Sequence, residues 1–304
     1  MKGKGHPSAS SFTLYTLPFP LYHFFCMSIR LIALDLDGTL VNSRWEISPR
    51  DIQALGAASE RGVQIVVVTG RRARAAAPYV EKIPFPITVI TSNGALIRTS
   101  AGEVVHRNFL SRAVALTVLE TVQVFRPYTV AIFDVPDRGG VTMEDCAIPE
   151  GPLGWYLRNS LNHLLLVPDL AAAVKSDPIQ IMIGGPPARI EEAERLLRQS
   201  AAAPCVQLTW TKYPERNIAI FDIMTRGCCK GQALKFWANH CGIPASEVMA
   251  MGDNFNDLEM LEFAGLPVVM GNHIDGLHRP GWAITDPCDE CGVASAIEKF
   301  VLTG

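Results

Sequence analysis

Excess basic charge is missing from this sequence: 27 Lys and Arg stand against 30 Asp and Glu, a formal net charge of -3 over 304 residues. Nucleic acid and anionic membrane surfaces call for a broad positive field, so neither is an expected partner. A zinc-type cysteine pattern is missing too. There are eight cysteines, but the one CxxC, Cys288 to Cys291, has no second pair or His tract at zinc spacing and reads as an ordinary loop. A chain of this length does not depend on disulfide staples, so the cysteines are read as reduced thiols of a cytoplasmic protein. Also lacking is an unbroken apolar run long enough to span a bilayer. The nearest approach, FTLYTLPFPLYHFFCMS after Lys2 and Lys4, is interrupted by Pro18, Pro20 and His23, and no small-residue cleavage site follows it. Residues 1–26 are therefore expected to be a disordered or mis-assigned extension, with Met27 as the natural start.

What the sequence does have is apolar mass. Hydrophobic residues make up 48% of it, enough for a large core and, at this length, two domains. Residues 29–34 are almost continuously apolar and are followed by DLDGTL; VQIVVV runs into TGRR, and ITVIT into SNG. Between the first two runs Ser48, Pro49 and Gly62 punctuate a helix as N-cap, first-turn proline and terminator. Strands alternating with helices, apolar throughout and polar only at their C-terminal ends, predict a doubly wound parallel sheet with its ligand edge there. The segment 97–216 has a different texture: hairpin strands ALIRT and EVVHRNF, a helix near 112–125, a Gly/Pro-rich stretch, IQIMIGG, a charged helix and VQLTW. It is read as an inserted α+β domain between core segments 27–96 and 217–304, the second of which begins with the strand NIAIFDI.

The polar strand ends carry the chemistry. Asp35 and Asp37 follow the first strand, Thr69 the second and Asn93 the third, while Lys230 opens a helix after CC and Asp253, Asn254, Asn256 and Asp257 follow VMAMG. A calcium loop counted from Asp35 fails, because its sixth position is Leu40 rather than Gly and a strand precedes it where a helix belongs. Convergent carboxylates repel one another and take up protons unless a cation sits among them. Oxygen-only ligands point to Mg²⁺, and a hard cation with a lysine and helix N-termini suits a phosphoryl group.

DLDGTL, VVTGR, TSNGA, KGQAL, MGDNFNDLEML, VVMGN and ECGVASAIEKFV, in this order, resemble the haloacid dehalogenase (HAD) superfamily, and within it the Cof-type sugar-phosphatase-like hydrolases. That resemblance implies an α/β, HAD-like core with an α+β cap between the second and third motifs, and a phosphatase forming an aspartyl-phosphate. Asp35 would be the nucleophile and Asp37 the general acid and base. Thr69, Gly70, Asn93, Lys230 and Asn256 would hold phosphate. Mg²⁺ would be bound by the side chains of Asp35 and Asp253 and the backbone carbonyl of Asp37, with Asn254 and Asp257 in support. The implied partner is a small phosphorylated metabolite, a sugar phosphate or phosphorylated cofactor.

The cap position follows from spacing: 31 residues lie between Asp37 and Thr69, but 160 between Thr69 and Lys230. Competing readings are a phosphotransferase or mutase, a catalytically silent phospholigand sensor, and a binding scaffold. Among individual residues, Thr69 and Asn256 could simply cap helices, and Lys230 could be a surface lysine. Arg71, Arg72 and Arg74 read as a solvated helix face. Cys228 and Cys229, an oxidisable pair beside Lys230, would make activity redox-sensitive.

Overall fold

In the computed structural model residues 29–135, 140–145, 154, 164–213 and 216–303 are described, so the expectations for residues 1–26 and Met27 lie outside the described residues. The described strands form one eight-stranded and one six-stranded sheet. The larger has the order β14 (Ala283–Ile284), β13 (Leu266–Val269), β12 (Val248–Gly252), β1 (Leu31–Leu34), β2 (Gln64–Val68), β3 (Thr88–Thr91), β4 (Leu96–Thr99), β5 (Val104–Arg107). All neighbours from β14 to β3 are parallel; β4 and β5 add an antiparallel hairpin at the edge.

Why the strands are continuously apolar is visible in their packing, since successive side chains face opposite sides of a sheet. Ile32 and Leu34 of β1 join Ile65 and Val67 of β2 in a cluster with helices α1 (Pro49–Glu60) and, near the C-terminus, α8 (Gly292–Ile297). Leu31 and Ala33, with Val66 and Val68, join helices α6 (Lys230–His240) and α7 (Leu258–Phe263) on the opposite face. Ser48 caps α1 as expected, accepting from the Arg50 N–H at 3.2 Å. Helix α2 (Ala73–Val80) follows β2.

The six-stranded sheet has the order β10 (Val206–Tyr213), β11 (Ile218–Thr225), β9 (Gln180–Gly185), β6 (Thr129–Ile132), β7 (Val141–Glu144), β8 (Leu164–Val167). Helices α3 (Arg112–Thr121), α4 (Leu170–Ala173) and α5 (Pro187–Arg198) cover one of its faces. The other face, carrying Val130, Met182, Ile220 and Met224, packs against Ala95 of the larger sheet's β3–β4 connection.

Both expected segment boundaries cut through a sheet. The hairpin beginning at Leu96 belongs to the core sheet, because β4 pairs with β3. Conversely Ile218–Thr225, read as the resumption of the doubly wound pattern, pairs antiparallel with β9 and β10 in the smaller sheet. An apolar strand looks the same whichever sheet it joins; partner choice is tertiary. Part of the stretch read as Gly/Pro-rich connection is strand β7, and the rest of it between residues 146 and 153 lies outside the described residues. The final helix is broken: a 3₁₀ turn at Cys288–Glu290 precedes α8, with Cys291 left-handed at φ 61° between them.

Candidate active site

Strand order reverses between β1 and β12: from β1 the chain steps outward to β2 and β3, whereas β12 leads to β13 and β14 on the other side. In open α/β sheets the crevice at such a reversal, beyond the strand C-termini, is the ligand position. Asp35 follows β1 there, Asp253 follows β12, and Thr69 and Asn93 lie just past the ends of β2 and β3.

Lys230, at the first position of α6, is fully buried and bridges two carboxylates: its Nζ donates to Asp35 Oδ1 at 2.5 Å and Asp257 Oδ1 at 2.6 Å. This rules out the surface-lysine reading. Burial works against its charge, but Asp257 and Asp35 outweigh it and hold the ammonium above the ordinary lysine range. Asp257 is rigid in turn, its Oδ2 accepting from the backbone N–H groups of Asp253 at 3.1 Å and Asn254 at 3.0 Å. Asn254 itself caps the short turn at Phe255–Asp257, so the capping expected as an alternative for Asn256 belongs to its neighbour.

Ligand oxygens of Asp35, Asp253 and Asp257 lie within 4.8 Å of one another. One ammonium, in contact with two of them, stands against three carboxylates. Burial pushes Asp35 up to about 7 despite Lys230. Burial, with repulsion from Asp35 and Asp257, lifts Asp253 well above the usual carboxylate range. Such a hard-oxygen cluster short of positive charge fits a divalent cation. Asp257, placed in support by the sequence reading, thus stands with the potential ligands. The Asp37 carboxylate stands apart from them.

Asp37 points instead at Arg71, whose Nε and Nη2 donate to its two oxygens at 2.7 and 2.5 Å. The guanidinium also donates to Ala75 O at 3.1 Å, and its carbon sits 4.5 Å from the Tyr79 ring centroid and 5.3 Å from that of Trp45. Arg71 is therefore no part of a solvated face: its side chain is 19% exposed and anchored inward. Helical periodicity missed it because it precedes α2, in the turn, rather than lying along the helix.

Thr69 Oγ1 accepts from the Arg71 N–H at 3.1 Å, so the hydroxyl does brace the turn while sitting at the strand end. Asn93, left-handed at φ 51°, donates its N–H to Thr69 O at 3.1 Å and packs on Gly70, where a Cβ would come 3.0 Å from Asn93 Oδ1. Asn256 Nδ2 reaches Asn93 Oδ1 at 3.5 Å. The structure thus brings Thr69, Gly70, Asn93 and Asn256 together in one wall and Asp35, Lys230, Asp253 and Asp257 in another. At Gly38, φ +82°, a Cβ would meet Asp253 Oδ2 at 2.5 Å, which only glycine avoids. Two further residues went unassigned: Thr39, donating to Asp253 Oδ1 at 3.3 Å, and the buried Asp222 of β11, the one charged residue of a strand that is apolar up to its last residue, Thr225. That isolation was the available signal for Asp222. The cysteine pair is buried. Burial pushes the Cys228 thiol up to about 12 and raises Cys229 as well, away from the thiolate that oxidation needs.

The family model described as haloacid dehalogenase-like hydrolase matches residues 32–297. The phosphatase YwpJ of Bacillus subtilis (strain 168) is 30% identical over 292 residues, covering 90% of this chain and 100% of that protein. The pyridoxal phosphate phosphatase YbhA of Escherichia coli (strain K12) is 27% identical over 83% of this chain and 91% of its own. Among solved structures, a haloacid dehalogenase-like hydrolase from B. subtilis superposes with a TM-score of 0.74 at 26% identity, covering 88% of this chain and 99% of that one.

Proposed function

We propose, from the premise that this chain belongs to the haloacid dehalogenase-like hydrolase family, that it is a Mg²⁺-dependent phosphatase of small phosphomonoesters working through an aspartyl-phosphate. The observation that carries this reading is the meeting of Asp35, Asp253, Asp257 and Lys230 at the sheet's reversal point. Asp35 offers a carboxylate oxygen to phosphorus; the P–O bond to the leaving alcohol breaks, and the alcohol oxygen takes a proton from Asp37. Water then attacks the phosphorus of the acyl phosphate, giving its proton to Asp37, and free phosphate and the Asp35 carboxylate are released.

Arg71 donates to both Asp37 oxygens, so delivering a proton from Asp37 in the first step requires one of those hydrogen bonds to loosen. Lys230 and the Thr69 hydroxyl are assigned to the phosphoryl oxygens, with Gly70, Asn93 and Asn256 shaping the surrounding wall. Asp35, Asp253, the Asp37 backbone carbonyl and, on the present geometry, Asp257 are the groups that would hold Mg²⁺ or brace its shell. Bound there, Mg²⁺ would keep Asp35 ionised and offset phosphate charge. The substrates proposed are sugar phosphates or phosphorylated cofactors, one relative being named for pyridoxal phosphate. We also assign the protein to the cytoplasm. No described helix is long and apolar enough to cross a membrane.

Asp35→Asn should abolish turnover of p-nitrophenyl phosphate while far-UV circular dichroism and melting stay native. Near-normal turnover by that variant would remove the mechanism. Free phosphate released with no acceptor alcohol present separates a phosphatase from a phosphotransferase, and tight phosphate binding without turnover would favour a silent sensor.

A further inference from the structure

We infer that Asp222 is a positioning residue: reaching out of the smaller sheet, it holds the side chain of Asn93 and so sets the shape of the phosphate-side wall from above. The inference rests on reading that wall as the phosphoryl site. Alternation along β11 puts Ala219, Phe221 and Ile223 on the helix-covered face, and Ile218, Ile220 and Met224 on the face toward the core. Asp222 shares the second face by its parity. There it is 4% exposed, an acid set among apolar neighbours.

Its two oxygens are both spoken for. Oδ2 accepts from Asn93 Nδ2 at 2.9 Å, and Oδ1 accepts from Gln180 Nε2 at 2.6 Å. Both hydrogen-bond donors are neutral amides. Burial pushes the carboxyl up to about 7, while the Asn93 bond pulls it down. An uncompensated acid on an apolar face is costly, and an apolar side chain there would simply extend the packing. What the acid adds is a grip on Asn93. That residue needs one: it sits at φ 51°, a conformation sparsely used by residues other than glycine, with its backbone tied to Thr69 O and its Oδ1 to Asn256. The Asp222–Asn93 bond thus joins the smaller sheet to the very turn that lies between Thr69 and Asn256.

Gln180 makes the test sharp. Its Oε1 is buried and has no hydrogen-bond partner among the described residues. In Asp222→Asn the new amide can keep accepting from Asn93 through its oxygen and donate to Gln180, provided the Gln180 amide flips to present Oε1. Asp222→Leu has similar volume and no acceptor, so Asn93 is released.

The experiment compares kcat and KM for p-nitrophenyl phosphate, and the affinity for inorganic phosphate with Mg²⁺ by calorimetry, in both variants, in Asn93→Ala and in the Asp222→Leu/Asn93→Ala double variant. Asp222→Leu is expected to lower kcat/KM by about tenfold or more and to weaken phosphate binding, a loss of positioning rather than of fold. Asp222→Asn is expected to restore most of it. Asn93→Ala should match the Leu variant, and the double variant should lose nothing further. A folded Asp222→Leu protein with native kcat/KM and phosphate affinity overturns the inference, as do losses that multiply in the double variant. Should the Leu variant not fold, Asp222→Ser, too short to reach Asn93, carries the same expectations. If the wild type binds phosphate but releases none from any ester, the phosphatase reading has failed, and phosphate affinity alone decides the role of Asp222. A wild type that binds no phosphate overturns both.

Discussion

Arg71 grips both oxygens of Asp37 while Tyr79 and Trp45 lie against its guanidinium, so one planar cation fixes the orientation of the proposed acid and base. Charge-assisted hydrogen bonds contribute about 1.5–3 kcal/mol, which corresponds to about tenfold to a hundredfold in rate if the whole effect falls on the reacting geometry. Arg71→Met should keep the packing on Tyr79 and lower kcat/KM for p-nitrophenyl phosphate by that factor. Unchanged or faster turnover would show that the pair is only a resting contact. At this scale the sequence was most legible where a residue type is unusual for its position. Lys230 after an apolar segment and aspartates at strand ends announced themselves, whereas Arg71, although it closes the VVTGR motif, sat among Arg72 and Arg74 with its partner unmarked. Only the placement of Asp37 opposite it distinguishes the three.

Among the elements, α1 and α8 lie on the same face of the sheet and are tied by one buried acid. Asp51, in the first turn of α1 and 1% exposed, accepts from the Ala294 N–H at 2.7 Å. Burial raises its pKa to about 6, against the pull of that hydrogen bond. A raised carboxyl means that the folded protein holds a proton the unfolded chain has already lost. Stability therefore falls as pH rises from about 4 to 6, and the full penalty is present above that window. Asp51→Asn keeps an acceptor for Ala294 and removes the charge. Its unfolding free energy should exceed that of the wild type by about 1–3 kcal/mol at pH 7.5 and converge with it near pH 4. Denaturant melts at the two pH values check this, and a gain independent of pH would show that charge is not the cause. Helices and strands of the core were legible from caps and apolar runs, as α1 and β1 illustrate. Membership of β4, β5 and β11 was not, because apolar alternation states that a face is covered without stating by what.

The whole molecule places two sheets so that a face of the smaller one covers the loop after β3. A cation that binds only the folded cluster of Asp35, Asp253 and Asp257 must stabilise the entire fold, since the unfolded chain scatters these residues. Saturating Mg²⁺ at about 100 times its dissociation constant would contribute roughly 2.7 kcal/mol. Thermal melts should therefore rise by several degrees with Mg²⁺ and fall back with EDTA, and Asp253→Asn should lose the shift. A melting temperature indifferent to Mg²⁺ in the wild type would argue against a divalent site here.

Local chemistry alone determined a good part of this: where apolar strands end, where Ser48 begins a helix, which acids stand at strand termini and which lysine opens a helix. Those are properties of neighbouring residues, and neighbours are written in the chain. Tertiary structure decided which distant groups share a hydrogen bond: Asp37 with Arg71, Asp222 with Asn93, and Lys230 with both Asp35 and Asp257. These pairings depend on sheet order and on the docking of one sheet over another, and strand periodicity carries neither.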